Sequence, residues 1–360
     1  MKRQLLALVL CAAMLLSGCN GLMDGTYQWE HPHDIQQEGG LSSNISVTDY
    51  AELYQALAQM IEAGAEQATI TVEGYDQEQL PTDLKTVKLN LMQKHPVATW
   101  AVKTIHSDLG TTGGTPAVAI KIDYLHDKAE IQKIIKVEYC EQAKPVIQEV
   151  LKSCDAGVVI LIENYSGLDV FQLTENFAME HPEYVIEQPH VTATTYPESG
   201  VSRILEIKFS YKTSREVLKN MQNHVLSIFE SANLWASTES GAEEKYRRLY
   251  AYLTMQDAYS FETSVTPAYS LLRYGVGDNK TFAMVYAAMC RRAGLECLTV
   301  PGTNNGESCY WNIILVDDGY RHVDLLRSYA ADDFQMLCDE EMTGYVWDYD
   351  AYPVCSAPQE

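Results

Sequence analysis

The chain has 360 residues, 46% of them hydrophobic and 21% charged, which is enough for two or three domains that each bury a core. This composition excludes a disordered chain and a repetitive fibre. The 26 basic and 49 acidic residues give a formal net charge of −23. Such an excess of negative charge repels nucleic-acid phosphates and anionic lipid headgroups, so we expect no nucleic-acid partner.

The first 18 residues have the pattern of an export signal. A positive start (Met-Lys-Arg) precedes an apolar run over residues 5–16 that is too short to span a bilayer comfortably. The run leads into Leu-Ser-Gly-Cys at 16–19, which resembles the lipobox of bacterial lipoproteins. The resemblance implies an extracytoplasmic protein that is anchored to the cell membrane by a lipid on Cys19. An ordinary secretory signal with an incidental cysteine is the alternative.

Residues 19–46 are interpreted as the lipidated cysteine and a polar, flexible tether. From residue 47 the hydrophobic periodicity is regular. It predicts a helix with a threonine cap at 48–64, a strand at 68–75, a helix at about 79–94, and strands at about 97–106 and 116–125. The same order then returns, with a helical stretch near 127–154, a strand at 158–165, a helix at 172–182 and a strand at 203–211.

Three short motifs recur between these two stretches at offsets of roughly 90 residues. They are a strand that ends in Glu-x-Tyr, a His-Pro pair after a helix, and an Ile-Lys strand that ends in Tyr. We interpret them as a duplicated α/β module with copies at 47–126 and 127–240. The alternative is two unrelated α/β segments with similar strand ends. His95 and His181 are predicted to cap helix C-termini rather than to bind a metal.

The C-terminal domain is predicted over residues 241–360. A charged amphipathic helix at 241–262 is followed by a helix at about 280–293, a stop at Gly294 and a strand. A β-hairpin with its turn at 317–319 comes next.

From about residue 243 to the C-terminus the chain resembles the transglutaminase-like superfamily, whose members have a papain-type Cys-His-Asp triad. The matching motifs are Phe-Ala at 282–283, Trp-Asn at 311–312 and Val-Asp at 323–324. The resemblance implies an α+β fold in which a transglutaminase-like (papain-type) domain follows the duplicated α/β module.

Two of the three triad positions carry residues that cannot perform the family's chemistry. The nucleophile position is Asn279 and the base position is Cys309, and only Asp324 has its expected identity. A carboxamide has no ionisable proton near neutral pH, and a thiol cannot replace an imidazole that a carboxylate orients. We therefore expect a pseudoenzyme that binds a peptide or cell-wall ligand in the former cleft, lined by Asn279, Cys309, Tyr310, Trp311 and Asp324.

Two alternatives remain open. In the first, Cys309 is itself the nucleophile, with His322 as its base and Asp324 beside them, and the protein is an active cysteine peptidase or acyltransferase. In the second, the domain is a structural spacer and Trp311 packs in its core.

Of the nine cysteines, seven remain after removal of the signal and acylation of Cys19, and an odd number cannot all pair. Cys338 and Cys355, both in the short C-terminal tail, are the first pair to test for a disulfide. The chain has no cysteine or histidine spacing typical of zinc and no cofactor motif, so we expect neither a metal nor a cofactor.

Overall fold

The computed structural model describes residues 33–34, 45–239, 241–255, 258–317 and 319–357. The predicted signal peptide, Cys19 and most of the predicted tether lie outside these residues, as does Asp318 of the predicted hairpin turn. Within the described residues, no helix is long and apolar enough to cross a membrane. Helices and β-sheets both contribute to the fold, which confirms the α+β class.

The helices and strands of the described residues are numbered here in chain order. The helices are α1 Tyr50–Glu62, α2 Leu80–Lys94, α3 Pro96–Ala101, α4 Lys128–Gln132, α5 Cys140–Lys152, α6 Val170–Glu180, α7 Arg215–Ala236, α8 Ala242–Leu253, α9 Pro267–Tyr274, α10 Asn279–Arg292 and α11 Leu325–Ala331. The strands are β1 His33–Asp34, β2 Ile45–Ser46, β3 Gln67–Thr71, β4 Val102–Thr112, β5 Thr115–Tyr124, β6 Ile135–Tyr139, β7 Gly157–Asn164, β8 His190–Tyr196, β9 Arg203–Ser210, β10 Cys297–Asn304, β11 Glu307–Val316, β12 Gly319–Val323 and β13 Tyr345–Val346.

The strands form three sheets, with the orders β1-β4-β5-β3-β2, β6-β7-β9-β8 and β12-β11-β10-β13. In the first sheet β2 is parallel to β3, and β3 is antiparallel to β5. In the second sheet β6 is parallel to β7, and β7 is antiparallel to β9. Apart from β1 and the short α3, both sheets follow the same β-α-β-α-β-β order with the same strand neighbours. This shared topology supports the proposed duplication, which stays a prediction.

The predicted strand at 97–106 is wrong in its first half, where the chain forms α3. His95 is the N-cap of this helix, since its Nδ1 accepts a hydrogen bond from the Ala98 N–H at 3.3 Å. Pro96 occupies the first helical position, where the missing N–H costs nothing. The His95 side chain therefore serves the start of α3 and not the end of α2, whereas His181 is the C-cap of α6 as predicted.

The predicted helical stretch near 127–154 consists of two helices with a strand between them. A capping box starts α4, because Asp127 and Glu130 each bond the other's backbone N–H. The chain then enters β6, which pairs in parallel with β7. Several further elements carried no prediction, among them β8, the 22-residue helix α7, α9, α11 and β13.

The chain divides into two compact units. Described residues up to 57, with 65–87 and 104–123, belong to the first unit, and 58–64, 88–103 and 124–357 belong to the second. The second unit contains the second and third sheets and the whole of the site described below.

The central helix of the C-terminal part is α10, which packs against β10 and β11. Its residues from 281 to 290 are all buried. Asp278 caps its start, since the Asp278 Oδ1 accepts from the Thr281 N–H at 2.8 Å. Gly294, at a φ of +74°, supplies the left-handed turn that ends it. The predicted helix at 280–293 therefore agrees with α10 within one residue at each end.

Candidate functional site

Three elements position the triad-equivalent residues. Asn279 is the first residue of α10, and Cys309 lies on β11. Asn312 of β11 pairs with Val323 of β12, so the next residue, Asp324, lies across from Trp311 and diagonal to Cys309. Asp324 is also the N-cap of α11.

The side chains at these positions are in contact. The Asn279 Oδ1 accepts a hydrogen bond from the Tyr310 backbone N–H, and the Asn279 side chain also hydrogen-bonds to the Cys309 thiol. The Cys309 Sγ lies 4.0 Å from the Asp324 Oδ2. The structure therefore brings a carboxamide, a thiol and a carboxylate together where the family's triad would lie.

The Cys309 thiol is held in its neutral form. Burial raises the pKa of Cys309 to about 11, and the negative charge of Asp324 adds to the rise. Hydrogen bonds to Asn279 and to the Tyr310 backbone lower this pKa by smaller amounts. A reactive cysteine needs the opposite surroundings, a cationic neighbour or an uncapped helix N-terminus. Cys309 is consequently a weak nucleophile near neutral pH.

Replacing Asp324 by asparagine is expected to lower the pKa of Cys309 from about 11, because the change removes a negative charge while keeping a residue that can cap α11. A drop of about one unit gives ten times more thiolate but a weaker nucleophile, so labelling of Cys309 by iodoacetamide at pH 9 becomes roughly threefold faster. Asp169→Asn, which changes a matched N-cap on α6, should leave the rate as it is. An equal or slower rate in Asp324→Asn would contradict the assigned electrostatics.

Asp324 is buried, and internal hydrogen bonds engage both of its oxygens. Its Oδ1 accepts from the backbone N–H groups of Leu326 at 3.0 Å and Arg327 at 3.1 Å. Its Oδ2 accepts from the Tyr345 hydroxyl at 2.7 Å, and burial together with this bond raises the pKa of Tyr345 well above its ordinary value. These internal bonds disfavour the expectation that Asp324 contacts a ligand, since the carboxylate positions α11 and Tyr345.

The surroundings of Trp311 also disfavour its predicted role in ligand binding. Its side chain is 0% exposed, and its ring lies edge-on to Tyr345 and Trp347, with centroids 5.2 Å and 5.7 Å away. The indole Nε1 donates a hydrogen bond to the His322 Nδ1 at 2.9 Å. Trp311 is thus a core residue of the third sheet.

His322 cannot act as the base for Cys309. An indole N–H can only donate, so the His322 Nδ1 must be the unprotonated acceptor. The proton is then on Nε2, which lies 2.8 Å from the Asp339 Oδ1 and donates to it. Both ring nitrogens are engaged away from the thiol, and burial lowers the pKa of His322. These contacts disfavour the alternative of a Cys309, His322 and Asp324 active site.

His322 should make the protein less stable in mild acid. Its folded pKa is lowered from 6.5, so the unfolded chain takes up the proton first as the pH falls. The free energy of unfolding therefore decreases below about pH 6.5, by at most about 1.4 kcal/mol per pH unit for this group. Urea titrations at pH 7.5 and 5.5 should show a smaller loss in His322→Gln than in the parent chain. The matched change of exposed His190 to Gln should keep the parent slope, and an unaltered slope in His322→Gln would refute this assignment.

His322, Asp339 and Cys355 form a group in which one donor atom of each residue lies within 4.8 Å of the others. Their chemistry does not fit a metal ion. A histidine that ligates through Nε2 carries its proton on Nδ1 and donates it to an outer partner, but here Nδ1 faces the Trp311 N–H. Burial and the charge of Asp339 also raise the pKa of Cys355 to about 12, which disfavours the thiolate that a metal needs.

The group instead ties the C-terminal tail to the sheet. The Asp339 N–H donates to the Cys355 carbonyl at 2.8 Å, and the Cys355 N–H returns a bond to the Asp339 Oδ1 at 3.2 Å. Cys338 and Cys355 are both buried free thiols, so the disulfide considered from the sequence is not formed.

Three of the expected ligand-binding residues, Asn279, Cys309 and Tyr310, remain partly exposed. The Lys280 Nζ lies 5.3 Å from the centroid of the Tyr310 ring, so a positive charge accompanies this patch. Sequence reasoning missed the contribution of Tyr345, because its distance in sequence from Asp324 conceals the hydrogen bond between them.

Comparison with protein-family models agrees with the C-terminal assignment. Residues 231–325 match the family model described as transglutaminase-like superfamily. The crystal structure of a TGase is similar at 12% identity and a TM-score of 0.26, covering 59% of this chain and 61% of that one. That of a proposed protease from Parabacteroides distasonis is similar at 9% identity and a TM-score of 0.23, covering 71% and 39%. The chain spans less than two thirds of either protein. No curated protein matches this chain significantly.

Proposed function

We propose, on the premise that residues 231–325 form a transglutaminase-like domain, that this is a lipid-anchored extracytoplasmic protein of a bacterium and that its domain is catalytically inactive. The domain binds a peptide or cell-wall ligand beside Asn279, Cys309 and Tyr310. The observation that carries the proposal is the hydrogen bond from the Tyr310 N–H to the Asn279 Oδ1, which ties the nucleophile's position to the facing strand.

This site lacks the residues that a thiol-dependent acyl transfer needs. Asn279 has no proton to lose and its lone pairs are delocalised, so no acyl intermediate forms on it. Cys309 is protonated near neutral pH, with a pKa of about 11. The histidine nearest to Cys309 in the sequence, His322, is fixed by Trp311 and Asp339. These three facts support loss of catalysis with retention of the domain's shape.

Tyr310 and Lys280 support a binding role. A partly exposed tyrosine offers an apolar face and a polar edge, and an ammonium group 5.3 Å from the ring centroid offers a partner for a carboxylate. Peptides, including those of cell walls, carry apolar groups and carboxylates. The excess of acidic residues elsewhere in the chain disfavours polyanions as the ligand.

Binding can be tested on the full acylated chain in detergent micelles, with purified cell-wall sacculi and short peptides as probes. We expect saturable binding that Tyr310→Ala weakens at least fivefold. Tyr274→Ala, which removes another exposed tyrosine of the same domain, is the control and should bind as the parent does. Turnover of a peptide amide or amide crosslinking by the parent chain would overturn the inactive assignment, and unchanged binding in Tyr310→Ala would overturn the assigned site.

Membrane anchoring requires a separate test, because the proposal for it depends on the first 18 residues and Cys19. The lipobox-like sequence at 16–19 is its support. We expect the parent chain to fractionate with membranes and Cys19→Ala to appear in the soluble fraction. A membrane-bound Cys19→Ala chain with an intact N-terminus would show that no acyl anchor on this residue is needed.

A further inference from the structure

Four aromatic rings form a closed circuit beside the start of α10. They belong to Tyr259, Phe261, Phe282 and Tyr329 and are called the aromatic quartet below. The ring centroids of Tyr259 and Phe282 are 5.3 Å apart, those of Phe282 and Phe261 6.1 Å, those of Phe261 and Tyr329 6.3 Å, and those of Tyr329 and Tyr259 5.5 Å. With sides this short, the centre of the circuit lies within about 6 Å of every centroid, the range of cation–π attraction.

The aromatic quartet borders the candidate site. Ser260, between two of its members, donates its N–H to the Gly275 carbonyl at 2.8 Å and accepts from the Gly277 N–H at 3.0 Å. These bonds hold residues 259–261 against the residues that precede Asn279. Phe282 lies one helical turn after Asn279 on α10, and Tyr329 lies on α11, which Asp324 caps.

The quartet has a buried floor and open walls. Phe282 is only 1% exposed, whereas Phe261 is 52% and Tyr329 36% exposed. Three of the four neighbouring pairs are arranged edge to face, with interplanar angles of 65°, 68° and 84°. The Tyr259 hydroxyl donates to the Leu253 carbonyl at 2.6 Å, which fixes one wall.

We propose that the aromatic quartet is a binding subsite for an alkylammonium cation. Ring faces attract such a cation through their quadrupoles, most strongly where water is partly excluded, and quaternary ammonium groups are recognised in this way. Glu262 and Asp332, which are both exposed, lie one and three residues after Phe261 and Tyr329 in the sequence. The net charge of −23 adds a negative field around it. As a subsite of the former cleft the quartet rests on the proposed function, although capture of a free cation does not.

The test uses choline and its neutral isostere 3,3-dimethylbutan-1-ol, titrated into the full chain and followed by calorimetry. We expect choline to bind in the millimolar range and the isostere to bind at least tenfold more weakly. Phe261→Leu keeps an apolar side chain without a π face and should weaken choline binding at least fivefold, as should Tyr329→Leu. Tyr274→Leu is the control for an exposed tyrosine outside the quartet.

Equal affinities for the two probes, no binding of choline, or unchanged binding in both leucine variants would each overturn the inference. Tyr310→Ala separates it from the proposed function, because this change should reduce binding of sacculi and leave choline binding intact. If the chain binds sacculi but not choline, the ammonium subsite alone is wrong. If the chain binds choline but neither sacculi nor peptides, the proposed ligand class is wrong and the ammonium subsite stands.

Discussion

Replacing Asn279 by cysteine and Cys309 by histidine in the same chain is expected to produce a thiol that ionises in acid. The two positions are in hydrogen-bond contact, α10 begins at the first, and Asp324 lies 4.0 Å from the side chain of the second. A histidine there can stabilise the thiolate and be oriented by the carboxylate. The pKa of the new thiol should then fall between about 3.5 and 7.5, the range of paired catalytic cysteines.

The measurement is the pH profile of iodoacetamide labelling at position 279, read by peptide mass. At pH 5 the double variant should label roughly tenfold or more faster than Asn279→Cys alone, after allowance for the lower nucleophilicity of a low-pKa thiolate. The profile of Asn279→Cys should have its midpoint at or above about 8.5. Adding Asp324→Asn to the double variant should move the midpoint back upward. Identical profiles for the double and single variants would mean that these positions do not share a triad geometry.

Trp311→Ala is expected to destabilise the C-terminal domain by about 3–5 kcal/mol, the range for truncation of a fully buried aromatic residue. The change opens a cavity between Tyr345 and Trp347 and removes the indole N–H that donates to the His322 Nδ1. Trp311→Phe keeps most of the ring volume but leaves that nitrogen without its donor, so we expect about 1–3 kcal/mol.

Urea unfolding followed by circular dichroism measures both changes. Tyr310→Ala, on the adjacent and partly exposed position, is the matched control and should cost no more than about 1 kcal/mol. Loss of ligand binding in Trp311→Ala at urea concentrations where the chain stays folded would restore a direct role for the indole. A cost below about 1 kcal/mol would contradict its place in the core.

The sequence predicted α10 and the β-hairpin well because local signals agree there. Asp278 caps the helix, Gly294 ends it, and the sequence Asp-Asp-Gly at 317–319 lies between the two predicted strands of the hairpin. The family motifs then located Asn279, Cys309 and Asp324, which the fold brings into contact. Where local signals conflict the prediction failed, as at α3, where valine and threonine favour a strand but the His95 cap and Pro96 start a helix.

Long-range partners account for the features of the site that the sequence did not predict. Nothing near Trp311 in the sequence distinguishes a buried indole from one that lines a cleft, because both occur on apolar strands. Its burial depends on Trp347 and Tyr345, which come from the C-terminal tail. Likewise, the tautomer of His322 is set by Trp311 on the adjacent strand and by Asp339, 17 residues later, and only the folded tail reveals that pair.

The position of that tail has a consequence for biosynthesis. Leu337 exchanges backbone hydrogen bonds with His322, and Asp339 joins Cys355, so the segment that covers the sheet is translated after everything it covers. In a chain that ends before this segment, the Trp311 indole and the His322 imidazole are exposed to water on an apolar sheet. Such a state is prone to aggregation. Folding of the domain therefore requires the tail through Cys355, and a chain truncated before this segment is expected to aggregate.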